Sequence, residues 1–127
     1  MGDKNMKKIA FAMNFPWSLI GLIYGLLLFP EGIKIDKLQS VIIVRVRRLW
    51  INDMFLGRKV RGFALGNTVI LSSVADSNTI DHEIVHVRQF VQKPFIFPLL
   101  YCFESIKNGY RGNKYEKEAY RQSNKPA

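Results

Sequence analysis

The chain is poor in the residues that staple or break up a fold. A single cysteine, Cys102, excludes an intrachain disulfide, and its neighbours Leu99, Leu100, Tyr101 and Phe103 predict a buried, inert thiol. Five prolines and nine glycines, scattered without period, exclude a collagen-like or linker-like polymer, and 48% hydrophobic residues predict one globular domain over residues 1–127. Acidic residues are scarce: ten face nineteen Lys and Arg, and the net charge of +9 favours anionic partners. Long apolar runs are also missing. The uninterrupted stretch 17–29 gives roughly 20 Å of helix against a ~30 Å hydrocarbon core. Starting at residue 9 would make it long enough to span, with Asn14 and Pro16 carried inside the membrane. The expectation is an apolar N-terminal helix over 9–30 that packs in the core or lies on a membrane surface, a span or a cleaved signal peptide being the alternatives.

What is present divides the rest of the chain by period. β-Branched runs at 41–46 and 49–51 read as strands, with a polar connection at Gly57, Arg58 and Lys59. Gly66-Asn67 lies between two further short strands, the second being 68–72, and both residues tolerate the positive φ of a hairpin turn. This middle third predicts a small, largely antiparallel sheet. Asp76, Ser77 and Asn78 then cap a helix that runs until Pro94 stops it after Lys93. The apolar run 95–103, broken by Pro98, is expected to pack in the core. Asn113 caps a last short helix over 113–121, and a polar tail follows from Ser123. The fold class is therefore α+β.

Only two histidines occur, His82 and His86, in His82-Glu83-Ile84-Val85-His86. Residues i and i+4 of a helix share a face one turn apart, so both imidazoles can reach one metal ion, and zinc suits that donor pair. Glu83 lies beside the pair, placed to act as general base on a water without being a ligand. Ile84, Val85 and Val87 face away and anchor the helix. Catalytic zinc takes three protein ligands, and with no further histidine the third must be Cys102 or a carboxylate such as Glu104, Glu116 or Glu118. Gln89, two turns beyond His82, is placed either at the rim or against a neighbouring helix. Tyr101, Tyr110, Tyr115 and Tyr120 are donors of the kind that stabilise an oxyanion.

DHEIVHVRQ at 81–89, followed by Tyr115-Glu116-Lys117-Glu118-Ala119-Tyr120, resembles the gluzincin branch of the zincin metallopeptidases, and is similar to the single-domain minigluzincins and to small bacterial zincin-like proteins. The family's downstream helix carries a pattern close to E-x-x-[AS]-D. The resemblance implies a catalytic core over 41–121, Glu116 as third ligand, Ala119 packed against the first helix, and zinc-dependent hydrolysis of peptide or protein substrates. It also implies that Thr68, Val69, Ile70 and Leu71 form the edge strand to which an extended substrate adds. One position departs from the pattern. Tyr120 stands where the family has the acid that orients a zinc-bound histidine, so a hydroxyl replaces a carboxylate there.

A rival reading is a non-catalytic zinc-binding, membrane-associated interaction module. Arg45, Arg47, Arg48, Arg58, Lys59 and Arg61, with Trp50 and Phe55 nearby, make a basic face. An anionic membrane surface, met together with 17–29, fits that face better than nucleic acid, since solvent-facing strand positions are commonly charged.

Overall fold

The computed structural model describes residues 2–37, 40–56 and 60–123. It is an α+β fold: a long helix, a four-stranded mixed sheet and four further helices. In chain order the elements are α1 (Gly2–Leu27), β1 (Pro30–Asp36), β2 (Val41–Val46), α2 (Trp50–Leu56), β3 (Gly62–Leu65), β4 (Thr68–Leu71), α3 (Ser77–Gln92), α4 (Phe97–Gly112) and α5 (Lys114–Gln122).

The sheet order is β1-β2-β4-β3. β1 with β2 and β3 with β4 are antiparallel, while β2 and β4 run parallel, Ile42 opposite Thr68 through Arg45 opposite Leu71. β2 and β4 are the interior strands. Every residue of β4 is buried, as expected of a strand covered on both faces. Leu28, Val44, Val46, Leu49, Val60 and Ile70 pack on one side of the sheet, and Val41, Ile43, Val69, Leu71 and Val87 on the other.

Thr68, Val69, Ile70 and Leu71 are therefore not the edge strand expected from the sequence. β3 hydrogen-bonds along their outer side and itself takes the edge. The hairpin turn is at Gly66-Asn67 as expected. Gly66 has φ +60°, and a Cβ there would meet the backbone N of Ser18 at 2.6 Å, so only glycine fits beside α1.

Three further expectations are corrected. Residues 50–51 open helix α2 and do not continue a strand, because the Asp53 N–H bonds back to the Leu49 carbonyl and the Asp53 carboxylate accepts from Val60 N (2.6 Å) and Arg48 Nε (2.9 Å). The run 95–103 is not core. Only Phe97 of α4 is buried, since α4 lies on the outside of the domain and turns Phe97 and Tyr101 inward. Cys102, on its outer side, is exposed. The connection Gly57, Arg58 and Lys59 and the tail 124–127 lie outside the described residues. Ser123 is itself buried against α5 through its bonds to Ala119 and Tyr120.

α1 continues through Pro16 and packs along the sheet with a stripe of small or polar residues, Ala10, Asn14, Ser18, Gly21 and Gly25, all buried. Asn14, fully buried, donates from Nδ2 to the Phe90 carbonyl (2.8 Å) and accepts from Phe95 N at Oδ1 (2.7 Å), while Trp17 Nε1 donates to the Phe95 carbonyl (2.7 Å). Phe95 has φ +67°, a strained corner held from both ends by α1. That corner sets where α4 begins, and so where Tyr101 falls.

Candidate metal centre

α3 begins as expected, with Asp76 as N-cap in a reciprocal capping box with Thr79, and ends at Lys93 before Pro94. Sixteen residues of helix place His82 and His86 one turn apart on the face toward α5, while Ile84, Val85 and Val87 are buried away from it. Asn113 closes the site from the other side. Its Oδ1 accepts from Tyr115 N to start α5, and its Nδ2 donates to the Tyr101 carbonyl (3.1 Å) and to Ser105 Oγ (2.9 Å). One buried side chain thus caps α5 and locks it to α4. Ala119, with no exposed surface, lets α5 approach α3 closely.

The outcome is a convergence on Glu116. His82 Nε2 lies 3.0 Å from Glu116 Oε1, and His86 Nε2 lies 3.1 Å from Glu116 Oε2. The donor atoms of the three buried residues all fall within 4.8 Å of one another, a group that can hold a metal ion. Among the described residues no fourth His, Cys, Asp or Glu joins them. The other third-ligand alternatives stay outside the donor cluster: Glu118 accepts from Gln89 Nε2, Glu104 accepts from Lys114 N, and Cys102 is exposed in the cleft wall.

The donor chemistry fits a borderline cation, and the network around His86 fixes its tautomer. Gln89 is 2% exposed. Its Nε2 donates to the Tyr115 carbonyl (3.0 Å) and to Glu118 Oε1 (2.6 Å), so its Oε1 is the atom that meets His86 Nδ1 at 2.7 Å. Nδ1 therefore carries a proton, which leaves Nε2 as the nitrogen able to ligate a metal. Gln89 is not a rim residue; it ties His86 to α5. His82 has no such partner. Its Nδ1 is buried without a hydrogen bond, and the Tyr120 ring packs over the imidazole at 4.4 Å between centroids. Tyr120 thus holds the His82 ring by contact, while its hydroxyl pairs with Tyr110 at 3.0 Å.

Of the four candidate tyrosines, Tyr101 is the one whose hydroxyl bonds to a residue of the triad, donating to Glu116 Oε2. No local pattern distinguished it, because its position depends on the Phe95 corner and the Asn113 lock. Tyr115 packs edge-on against Phe97 instead.

Charge is distributed accordingly. Burial opposes ionisation of Glu116, but hydrogen bonds from His82, His86 and Tyr101 outweigh it and hold the carboxyl well below the usual carboxylate range. Burial would likewise lower His86, yet the bond to Glu116 and its negative charge lift it to about 9. Burial and the Glu116 charge push the Tyr101 phenol far up, so it keeps its proton. Without metal, His86 and Glu116 are an imidazolium–carboxylate pair.

Glu83 is buried beside the triad, and its carboxylate lies against β3: a Cβ on Gly62 would sit 3.3 Å from Glu83 Oε2 and 3.0 Å from Thr79 Cγ2. The absent side chain is what lets the edge strand pass this close to α3. Together these elements line an open cleft of about 960 Å³, with β3 along one wall, α1 contributing Ile20 and Tyr24, and α4 contributing Pro98, Tyr101 and Cys102.

Two arginines of the basic face are paired. Arg48 pairs with Asp53 at 2.9 Å and Arg61 with Asp76 at 3.7 Å, while Arg58, Lys59 and the Phe55 side chain lie outside the described residues.

Compared with protein-family models, with curated proteins and with solved structures, the chain finds no match.

Proposed function

We propose that the protein is a zinc-dependent metallopeptidase, with His82, His86 and Glu116 as the metal ligands and Glu83 as the general base. The observation that carries this reading is the convergence of two imidazole Nε2 atoms on one buried carboxylate, with a second carboxylate beside them in a cleft bounded by a strand edge. The likeness of DHEIVHVRQ and YEKEAY to the gluzincin pattern supports it further. Zinc held there would supply Lewis-acid polarisation of a peptide carbonyl and would lower the pKa of a water.

The chain's own residues account for the remaining requirements. The free edge of β3, not β4, receives an extended peptide by backbone hydrogen bonding and brings it across α3. Glu83, one residue from a ligand yet not among the ligands, takes a proton from the attacking water and returns it to the leaving amine. Tyr101 keeps its proton and donates it in a hydrogen bond to Glu116 Oε2, which positions the carboxylate that would hold the metal. A metal that served only the fold would call for a fourth protein ligand, and the three found among the described residues would leave a position open for substrate.

The test is Glu83→Gln on the zinc-loaded protein, assayed against a fluorogenic peptide library. Retention of zinc with at least a ~100-fold loss of turnover is expected. Equal turnover by the variant refutes the mechanism, and unfolding on chelation with no peptide cleaved by the parent favours the structural reading.

A further inference from the structure

α1 is amphipathic in the reverse of the usual sense. Helices on soluble domains turn their large apolar residues inward. Here the inward stripe is Ala10, Asn14, Ser18, Gly21 and Gly25, and the outward face carries the bulk: Phe11, Phe15, Leu19, Ile23 and Leu27 are all exposed. No residue between 9 and 29 is charged. The polar atoms in that stretch are all satisfied internally: Asn14 by Phe90 and Phe95, Trp17 by Phe95, Ser18 by Asn14 and Asn67, Tyr24 by Asn52. α4 repeats the arrangement. Leu99, Phe103 and Ile106 fall on one outward face, Ile106 being 87% exposed, and Cys102 lies among them. The Trp17 and Phe95 rings, 5.8 Å apart, join the two surfaces.

The occupant follows from charge and length. The stretch Lys8–Leu27 is long and apolar enough to match the hydrocarbon thickness. It does not cross it, because α1 stays in contact with the sheet from Asn67 and Thr68 at Ser18 to Val44 and Ile70 at Gly25, and a span would carry an open-edged sheet into hydrocarbon. Lys4, Lys7 and Lys8 lie at the start of the helix, and the net charge of +9 complements anionic headgroups. A protein partner would meet polar groups at the rim, whereas this outward face offers no hydrogen-bonding group along its length and suits acyl chains.

We propose that the outward faces of α1 and α4 rest in one leaflet of an anionic bilayer, with α1 parallel to the membrane plane. Since Ile20, Tyr24, Pro98, Tyr101 and Cys102 also line the cleft, its mouth opens at the lipid boundary. Docking requires neither bound metal nor hydrolysis, so it stands or falls separately from the reading above.

The test uses the full chain and flotation with vesicles of phosphatidylcholine containing about 25% phosphatidylglycerol. Binding is expected, with a loss of about tenfold or more in partitioning for Leu19→Asp combined with Ile23→Asp. Both positions are exposed, so an unchanged Tm shows that the fold is kept. A nitroxide on Cys102 should become accessible to oxygen and shielded from a nickel chelate when vesicles are added. Nitroxides at Phe11→Cys, Leu19→Cys and Leu27→Cys in a Cys102→Ser background should report one shallow depth. Absence of vesicle binding overturns the proposal, as does equal partitioning of the double variant. A depth that peaks at Leu19 does so too, since it marks a crossing helix. So does a lipid-free dimer that the double variant dissociates, since it assigns the face to a second copy of the chain.

Discussion

Replacing Gln89 by leucine isolates the part of the metal centre that lies outside the ligands. Leucine has about the volume of glutamine but removes three hydrogen bonds at once: Oε1 to His86 Nδ1, and Nε2 to the Tyr115 carbonyl and to Glu118. The His86 N–H is buried and has no other acceptor among the described residues, whereas Glu118 is half-buried and can rehydrate. One orphaned buried donor and one partly exposed carbonyl cost about 2–3 kcal/mol of stability together. The His86 ring also loses the partner that fixes its tautomer and makes Nε2 a better donor. Loss of such a partner lowers metal affinity by about 10–100-fold, or about 1.4–2.7 kcal/mol. Competition titration with a chromophoric zinc chelator measures the affinity, and a thermal melt of the metal-free protein measures the stability. Gln89→Glu separates the two effects. It keeps an acceptor on His86 Nδ1 but faces Glu118 and the Tyr115 carbonyl with negative charge, so it should lose stability while holding zinc within a few-fold of the parent. A folded Gln89→Leu variant that binds zinc as tightly as the parent would refute the reasoning and reduce Gln89 to packing.

Metal uptake should release protons. With His86 raised to about 9, its imidazolium proton must leave before Nε2 can ligate, so at pH 7 about one proton is expelled per zinc and affinity climbs with pH until about 9; calorimetry in buffers of different ionisation enthalpy counts it. The same pair sets the pH dependence of the metal-free fold. The His86 contribution is complete below its unfolded value of 6.5 and lost as pH rises through about 9, while the Glu116 contribution is present above 4.5 and lost as pH falls below it. Melts across that range should therefore be highest between about 4.5 and 6.5 and decline on both sides. Gly62→Val forces β3 away from Thr79 and Glu83, costing about 1–3 kcal/mol and lowering kcat/KM by about tenfold or more with zinc retained, as peptide kinetics on the loaded protein would record. Asn14→Ala orphans the Phe90 carbonyl and the Phe95 N–H, a loss of about 2 kcal/mol by denaturant titration that also loosens the corner from which α4 starts.

Local chemistry was readable from the sequence wherever it acts alone. The Asp76 cap, the stop before Pro94, the Gly66-Asn67 turn and the Asn113 cap all depend on residues within a few positions of one another, and all four occur. The i, i+4 spacing of His82 and His86 carries their shared face for the same reason. Long-range pairing was not readable. Whether β4 lies at the edge depends on which side β3 folds back and on a parallel pairing with β2 made across 26 residues, from Ile42 to Thr68, and neither leaves a local trace. The three apolar residues at 49–51 suit a strand or a helix equally until Asp53 binds Val60. The run 95–103 was misread because apolarity marks what avoids water, without saying whether the shelter is the protein's own core. Asn14 and Pro16 misled in a related way. In a linear sequence they interrupt an apolar segment, but on the helix Asn14 points inward to hold α3 and α4 while Pro16 lies on the exposed side. Tyr101 and Gln89 became part of the centre only through packing, Tyr101 through two contacts remote in sequence and Gln89 through the approach of α5.

Whether α3 and α5 together hold one metal ion is read by elemental analysis of zinc per chain, on the purified protein and on Glu116→Ala after identical reconstitution. One zinc per chain is expected in the parent, with a clear loss in a variant that remains folded. Zinc absent from both, or retained equally in both, would contradict it.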